Sequence, residues 1–218
     1  MFDLDGTLVE TLDDLTASAN RLLASLGRPA ITAAIVRPMV GDGVPALVGR
    51  ILVQAGLPPD DAASIRQFAD DYERNAANSS RAFPDVPETL AGLHADGWLL
   101  AVCTNKPQAA ARVLLDALGI TPWLAAIGGG DSFATRKPDP GHLLGTIRLA
   151  GGTPSRSILV GDHANDVAAA HGAAVPSIFA LWGYGTPEMA DGCAARADDI
   201  TQVPQLARKL LGQGTITG

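Results

Sequence analysis

The chain has 218 residues, 47% of them hydrophobic, and a formal net charge of -7. That is apolar content enough for one large core or a core with an insertion, and the acidic balance argues against a general nucleic-acid or anionic-membrane binder, since both want a basic face. There is no run of about 20 apolar residues to span a bilayer, the two cysteines are too far apart to suggest a disulfide framework, and the amino terminus lacks the basic region and apolar core of a signal peptide, so a cytoplasmic protein is expected.

The opening MFDLD reads as a strand that closes on two acids, Asp3 and Asp5, with Gly6 free to turn the chain. In an extended strand residues i and i+2 point the same way, so these carboxylates should crowd one side of the strand end. Crowding of that kind is unfavourable unless a cation is present or one acid stays protonated.

From about residue 12 to 80 the period is helical. TLDDLTASANRLLASLG sets Leu12, Leu15, Ala19, Leu22, Leu23 and Leu26 along one stripe, with Gly27 as a stop. ALVGRILVQAGL and DDAASIRQFADDYERNAANS continue the pattern, and acidic residues 70–73 are expected on a solvated face. GDGVPA at 41–46 fits a loose dinucleotide fingerprint but follows no strand, because Pro38 interrupts IVRPMV; a tight turn before a helix is the better reading.

From about residue 83 short apolar runs alternate with helical segments. WLLAVC precedes PQAAARVLLDALG, LAAIGGG precedes GHLLGTIRLAGG, SILVG precedes DVAAAHGA, and SIFALW follows. Strand alternating with helix is the signature of a parallel sheet covered on both faces. An α/β core of residues 1–12 and 82–218, interrupted after its first strand by a helical insertion of residues 13–81, is therefore expected. Cys103 falls inside an apolar run and should simply pack, and GGG at 128–130 reads as a flexible strand exit.

Ligands of open α/β sheets bind beyond the carboxyl ends of the strands. Polar groups fall there in four places: Asp3 and Asp5; Thr104, Asn105 and Lys106; Lys137 in the stiff loop TRKPDP; and Asp162, His163, Asn165 and Asp166. Carboxylates with few histidines make a hard-cation site, and Mg²⁺ prefers oxygen ligands. A lysine and a hydroxyl beside such a metal would hold a phosphoryl group, and a carboxylate can serve as its acceptor. As a calcium loop DLDGT fails on spacing, since the glycine position would be Leu8 and the closing glutamate Asp14. His163 is expected to hydrogen-bond near the site rather than bind Mg²⁺. His94, His142 and His171 should be solvated or structural, and Trp182 and Tyr184 should shape a loop. Asn105 reads as a phosphate contact or as a helix start.

DLDGT, CTNKP, RKPDP and GDHAND, in that order, resemble the four motifs of the haloacid dehalogenase superfamily of phosphatases. The likeness runs over essentially the whole chain, and MVGDGVPALV, GGGDSFATRKPDP and LWGYG are similar to the phosphoglycolate phosphatases within it. The resemblance implies a Rossmann-like parallel-sheet core with an inserted α-helical cap. It implies Asp3 as nucleophile and Asp5 as the acid and base that serves leaving group and water. Mg²⁺ would sit on Asp3, Asp162 and the carbonyl of Asp5, with Asp166 orienting metal-bound water, while Thr104, Asn105 and Lys137 would meet the substrate phosphate.

The expected partner is a small phosphorylated metabolite, most simply 2-phosphoglycolate, with no nucleic acid and no membrane. Alternatives are a phosphatase or mutase for another small phosphorylated sugar or acid, and a non-catalytic binding protein on the same fold. Arg21, Arg37 and Arg50 are candidate partners for a substrate carboxylate, with surface solvation as the simpler reading. Relatives usually carry more apolar residues before the first motif, and each buried aliphatic side chain forgone is worth about 1.5–3 kcal/mol. The expectation is that the chain starts late relative to its natural product; the alternative is that neighbouring strands hold the shortened one.

Overall fold

The structure, a computed structural model, describes residues 1–212. After an opening segment, Met1–Asp3, the chain forms β1 (Val9–Glu10), helices α1 (Leu12–Ser25), α2 (Ala33–Val36), α3 (Val44–Gln54) and α4 (Ala62–Asn75), and then β2 (Arg81–Ala82). It continues through α5 (Val86–Ala95), β3 (Leu100–Cys103), α6 (Gln108–Ala117), β4 (Leu124–Gly128), α7 (Pro140–Leu149) and β5 (Leu159–Gly161). Then come α8 (Ala164–Gly172), β6 (Ser177–Ala180), β7 (Ala195–Ala197) and α9 (Val203–Leu210).

Aliphatic runs buried on both faces make the parallel sheet, in the order β4, β3, Met1–Asp3, β5, β6, β7. Phe2 bridges Val102 on one side and Val160 on the other. The Phe2 N–H donates to Ala101 and the Cys103 N–H to Phe2, while the Asp3 N–H donates to Val160 and the Val160 N–H to Met1. The first strand is thus held from both sides. It is also shorter than MFDLD suggests. The chain leaves the sheet at Leu4, whose carbonyl accepts the N–H groups of Thr7, Leu8 and Val9.

Two apolar clusters lie on either side of the site. One surrounds the sheet through Phe2, Leu8, Leu90, Val102, Leu114 and Ile178. The other is built by the helices from Leu15, Leu22, Leu23, Ile51, Phe68 and Tyr72, with Tyr184 contributed from the far end of the chain. Leu26 does not join its stripe: it lies past the end of α1, 37% exposed, where Gly27 at φ 66° turns the chain away. Asp71 is not simply solvated either, because Arg21 of α1 grips both its oxygens and so ties α1 to α4.

Where the chain crosses between sheet and helices, β1 and β2 zip together antiparallel, Val9 opposite Ala82. Strands of two residues carry no readable period, so the ribbon is invisible in the sequence. Beside it, buried Asp14 accepts the N–H groups of Ser79 and Ser80 and the Ser80 hydroxyl. Asp14→Ala leaves those donors without a partner in a dry setting and should cost about 2–3 kcal/mol, read as a lowered urea midpoint. Asp14→Asn, which keeps an acceptor, should cost less.

Candidate active site

Asp3 ends its strand and Asp5 sits in the turn that follows, with Gly6 at φ 83°. A side chain at Gly6 would collide with Asp162 Oδ2, so the turn needs glycine both for its backbone and for this approach. The two acids reach one pocket through this turn, not through strand alternation as expected.

Each acid has its own lysine. Lys137 Nζ, fully buried, lies 2.9 Å from Asp3 Oδ1 and 2.6 Å from Asp166 Oδ1. Only the Asp166 contact is aligned as a hydrogen bond, so Asp3 Oδ1 stays buried without a hydrogen-bond partner. Lys106 Nζ lies 2.8 Å from Asp5 Oδ1 and also donates to the Tyr72 hydroxyl of α4. Burial works against the charge of Lys137, but Asp166 and Asp3 outweigh it and hold the ammonium protonated.

One oxygen from each of Asp3, Asp162 and Asp166, all buried, lies within 4.8 Å of the others. Asp162 Oδ1 accepts the Thr7 hydroxyl and Oδ2 accepts the Tyr184 N–H. Burial, reinforced by Asp3, pushes the Asp162 carboxyl up to about 6. Asp166 is pushed up too, by burial and by its acidic neighbours against the pull of Lys137. Three carboxylates against one lysine leave negative charge that a divalent cation would neutralise. The donors are all oxygens, and one of them, Asp3 Oδ1, accepts no hydrogen bond. The residues therefore fit a hard metal ion.

The neighbouring loops hold these groups in place. His163 caps α8, its Nδ1 accepting the Asn165 N–H and its own N–H donating to Asp166 Oδ2. His142, buried, accepts the Lys137 N–H at Nδ1 and faces the Gly128 carbonyl with Nε2. Burial and Lys137 keep that ring's pKa low, so the neutral Nε2–H tautomer makes both bonds. The GGG run is packed rather than flexible: side chains there would strike Thr146 Oγ1, the Gln108 backbone and the Asn105 carbonyl. Cys103 packs as expected, its thiol pushed up to about 11 by burial.

The pocket between sheet and helices is lined by Asp3, Asp5, Thr104, Asn105 and Lys106 on one side and by Leu15, Val40, Val44, Leu47 and Tyr72 on the other. Its volume of about 30 Å³ has room for about two water molecules, so the helices lie closed over it. They are latched. Asn105 and Asn165 both donate to the Gly41 carbonyl, and Arg37 donates to the Gly183 carbonyl with its guanidinium over the Tyr184 ring. Asn105 also donates to the Lys137 carbonyl, so both of its side-chain N–H groups are engaged in this closed state. Thr104 is buried at the pocket wall and its hydroxyl accepts the Lys106 N–H. None of the three arginines serves the pocket, for Arg21 pairs with Asp71 and Arg50 with Asp42. Lys106 stands at the expected strand end, yet only its pairing with Asp5 marks it as functional. A larger cavity of about 490 Å³ at the opposite sheet edge, beside Met1, Trp98 and Arg156, contains none of these groups.

A parallel sheet with acids and lysines gathered at its carboxyl edge under a helical lid defines a hydrolase of one family. Residues 1–180 match the haloacid dehalogenase-like hydrolases, and the chain belongs to that family. It is 42% identical to a phosphoglycolate phosphatase of Agrobacterium fabrum over 98% of this chain and 94% of that one. It is 39% identical to a plasmid-borne phosphoglycolate phosphatase of Cupriavidus necator, covering 94% and 91% of the two chains. A crystal structure described as a predicted phosphoglycolate phosphatase from Haemophilus somnus 129PT superimposes with a TM-score of 0.86 at 33% identity, over 94% and 95% of the chains. The protein is a phosphatase of this family, and no helix among the described residues is long and apolar enough to cross a membrane.

The raised carboxyl of Asp162 sets a pH test. Its folded-state value lies above the unfolded one, so the stability tied to the protonated form is full below about 4 and lost as pH rises through about 6. Without metal, the wild type should therefore lose melting temperature relative to Asp162→Asn across that window, by the equivalent of about 3 kcal/mol at most. Parallel profiles for the two proteins would refute the assignment.

Proposed function

We propose that the protein is a Mg²⁺-dependent phosphomonoester hydrolase that acts on 2-phosphoglycolate through an aspartyl-phosphate on Asp3. The observation that carries this reading is the buried Asp3 Oδ1, without a hydrogen-bond partner but ion-paired to Lys137 at the carboxyl edge of the sheet, with a second acid, Asp5, in the same pocket. The relatives named phosphoglycolate phosphatase support the choice of substrate.

Asp3 attacks phosphorus while the ester oxygen departs, and Asp5 gives that oxygen a proton. Asp5 then takes a proton from the water that attacks the aspartyl-phosphate, which releases phosphate and frees Asp3. Lys137 and Thr104 face the phosphoryl oxygens, and Lys137 offsets their charge. Mg²⁺ would be held by Asp3, Asp162 and the carbonyl of Asp5, with Asp166 beside them, and supplies charge neutralisation for the phosphoryl group. Residues 13–81 act as the cap and residues 1–12 and 82–218 as the core; the helices' separate apolar cluster and the β1–β2 ribbon support this division. The cap must open to admit a substrate larger than the closed pocket and then shuts bulk water out.

Phosphate release from 2-phosphoglycolate and a panel of other small esters, with and without Mg²⁺, tests the reading. Asp3→Asn should lower kcat by at least about 10³-fold, and chelation should abolish turnover until Mg²⁺ is restored. Equal turnover by Asp3→Asn would refute the nucleophile assignment, and a preference for another ester would refute the substrate alone.

A further inference from the structure

We propose that Lys106 binds an anionic group on the leaving part of the substrate and so selects phosphate esters of short hydroxy acids. The inference rests on the hydrolase reading above and deepens it.

The two lysines of the site are divided between its two ends. Lys137 sits with Asp3, where the phosphoryl group is taken up, and Lys106 sits with Asp5, the acid that serves the leaving oxygen. Among the described residues that line the pocket, Lys106 is the one cation. The arginines that could have shared its task are turned to Asp71, Asp42 and the Gly183 carbonyl.

Lys106 is also poised for a ligand. Its side chain is 2% exposed, its ammonium lies 4.2 Å from the centre of the Tyr72 ring, and two of its three N–H donors are spoken for by Asp5 and the Tyr72 hydroxyl. A buried ammonium with a donor to spare is a strong site for a carboxylate, because little water competes there.

The rest of the pocket narrows the choice of substrate. Opposite Lys106 the cap offers Leu15, Val40, Val44 and Leu47, which cannot hydrogen-bond the hydroxyls of a sugar, and the Tyr72 hydroxyl beside them is already engaged by Lys106. Burying several unpaired hydroxyls against that wall is costly. A two- or three-carbon acid has its single charged end satisfied by Lys106 and leaves the wall in contact with carbon.

The test compares 2-phosphoglycolate with 2-hydroxyethyl phosphate, which replaces the carboxylate by a neutral alcohol of similar length. In the wild type kcat/KM should favour the acid by at least a hundredfold. Lys106→Met and Lys106→Gln should each lower that ratio at least tenfold, chiefly by raising KM for the acid, while Lys106→Arg keeps most of it. An unchanged ratio in both neutral variants overturns the proposal, since Lys106 would then act only by positioning Asp5. Calorimetric binding of both esters to Asp3→Asn protein, with and without Lys106→Gln, needs no turnover. A selective loss of 2-phosphoglycolate binding there supports the role of Lys106 even if the wild type releases no phosphate, and loss of both esters alike, or of neither, overturns it.

Discussion

The structure depends on a charge constraint: acids gathered in a dry pocket must be offset by cations or by hydrogen-bond donors, as Asp162 is by the Thr7 hydroxyl and the Tyr184 N–H. Asp3 and Asp166 share the buried Lys137, and Asp5 takes Lys106. Taking such charges out of water costs several kcal/mol apiece unless pairing is close. The pairings in turn dictate the fold around them. Met1–Asp3 must lie between β3 and β5, because only there do the loops that bear Lys106, Lys137 and Asp162 converge on it. His142 fixes the backbone of Lys137, and the cap of α8 fixes Asp166. What remains unneutralised is the excess of carboxylate that suits a divalent cation.

The same polar groups couple the lid to the sheet. Asn105 reaches the Gly41 carbonyl and the Lys137 carbonyl at once, so the Gly41 loop and the Lys137 loop are joined through one amide. Tyr184 packs among the cap helices, accepts the Thr11 N–H and donates to Glu10, while its own N–H holds Asp162. Closure over the pocket and the placement of the acids are therefore not independent. The bonds at the rim are few and part-buried, and beneath them Lys106 donates to the Tyr72 hydroxyl of α4.

Much of this was legible in the residues, and for identifiable reasons. The helical stripe of α1 and the apolar runs of β3 to β6 follow from periods set by local geometry. Asp3, Thr104 and Asp162 fall at strand ends, where open α/β sheets place their chemistry, with Lys137 in the loop after β4 and Asp166 in the first turn of α8. Other features left no such trace. The β1–β2 ribbon and β7 are too short to show a period. The GGG run reads as flexible until its contacts with Thr146, Gln108 and Asn105 are seen. Asp71 reads as solvated because its partner Arg21 stands on a different helix.

The sequence by itself determined the architecture's alternation, the kinds of group available for chemistry and the order in which the chain delivers them, since these are local properties of spacing and residue type. Only the tertiary structure decided which lysine answers which acid, that Asp5 reaches the pocket through a turn, that Asn105 latches the cap, and that the three arginines are engaged elsewhere. Those outcomes join residues as many as 146 positions apart, as Arg37 is from Gly183. Strand order and the seating of the helices set them, and no local period encodes either.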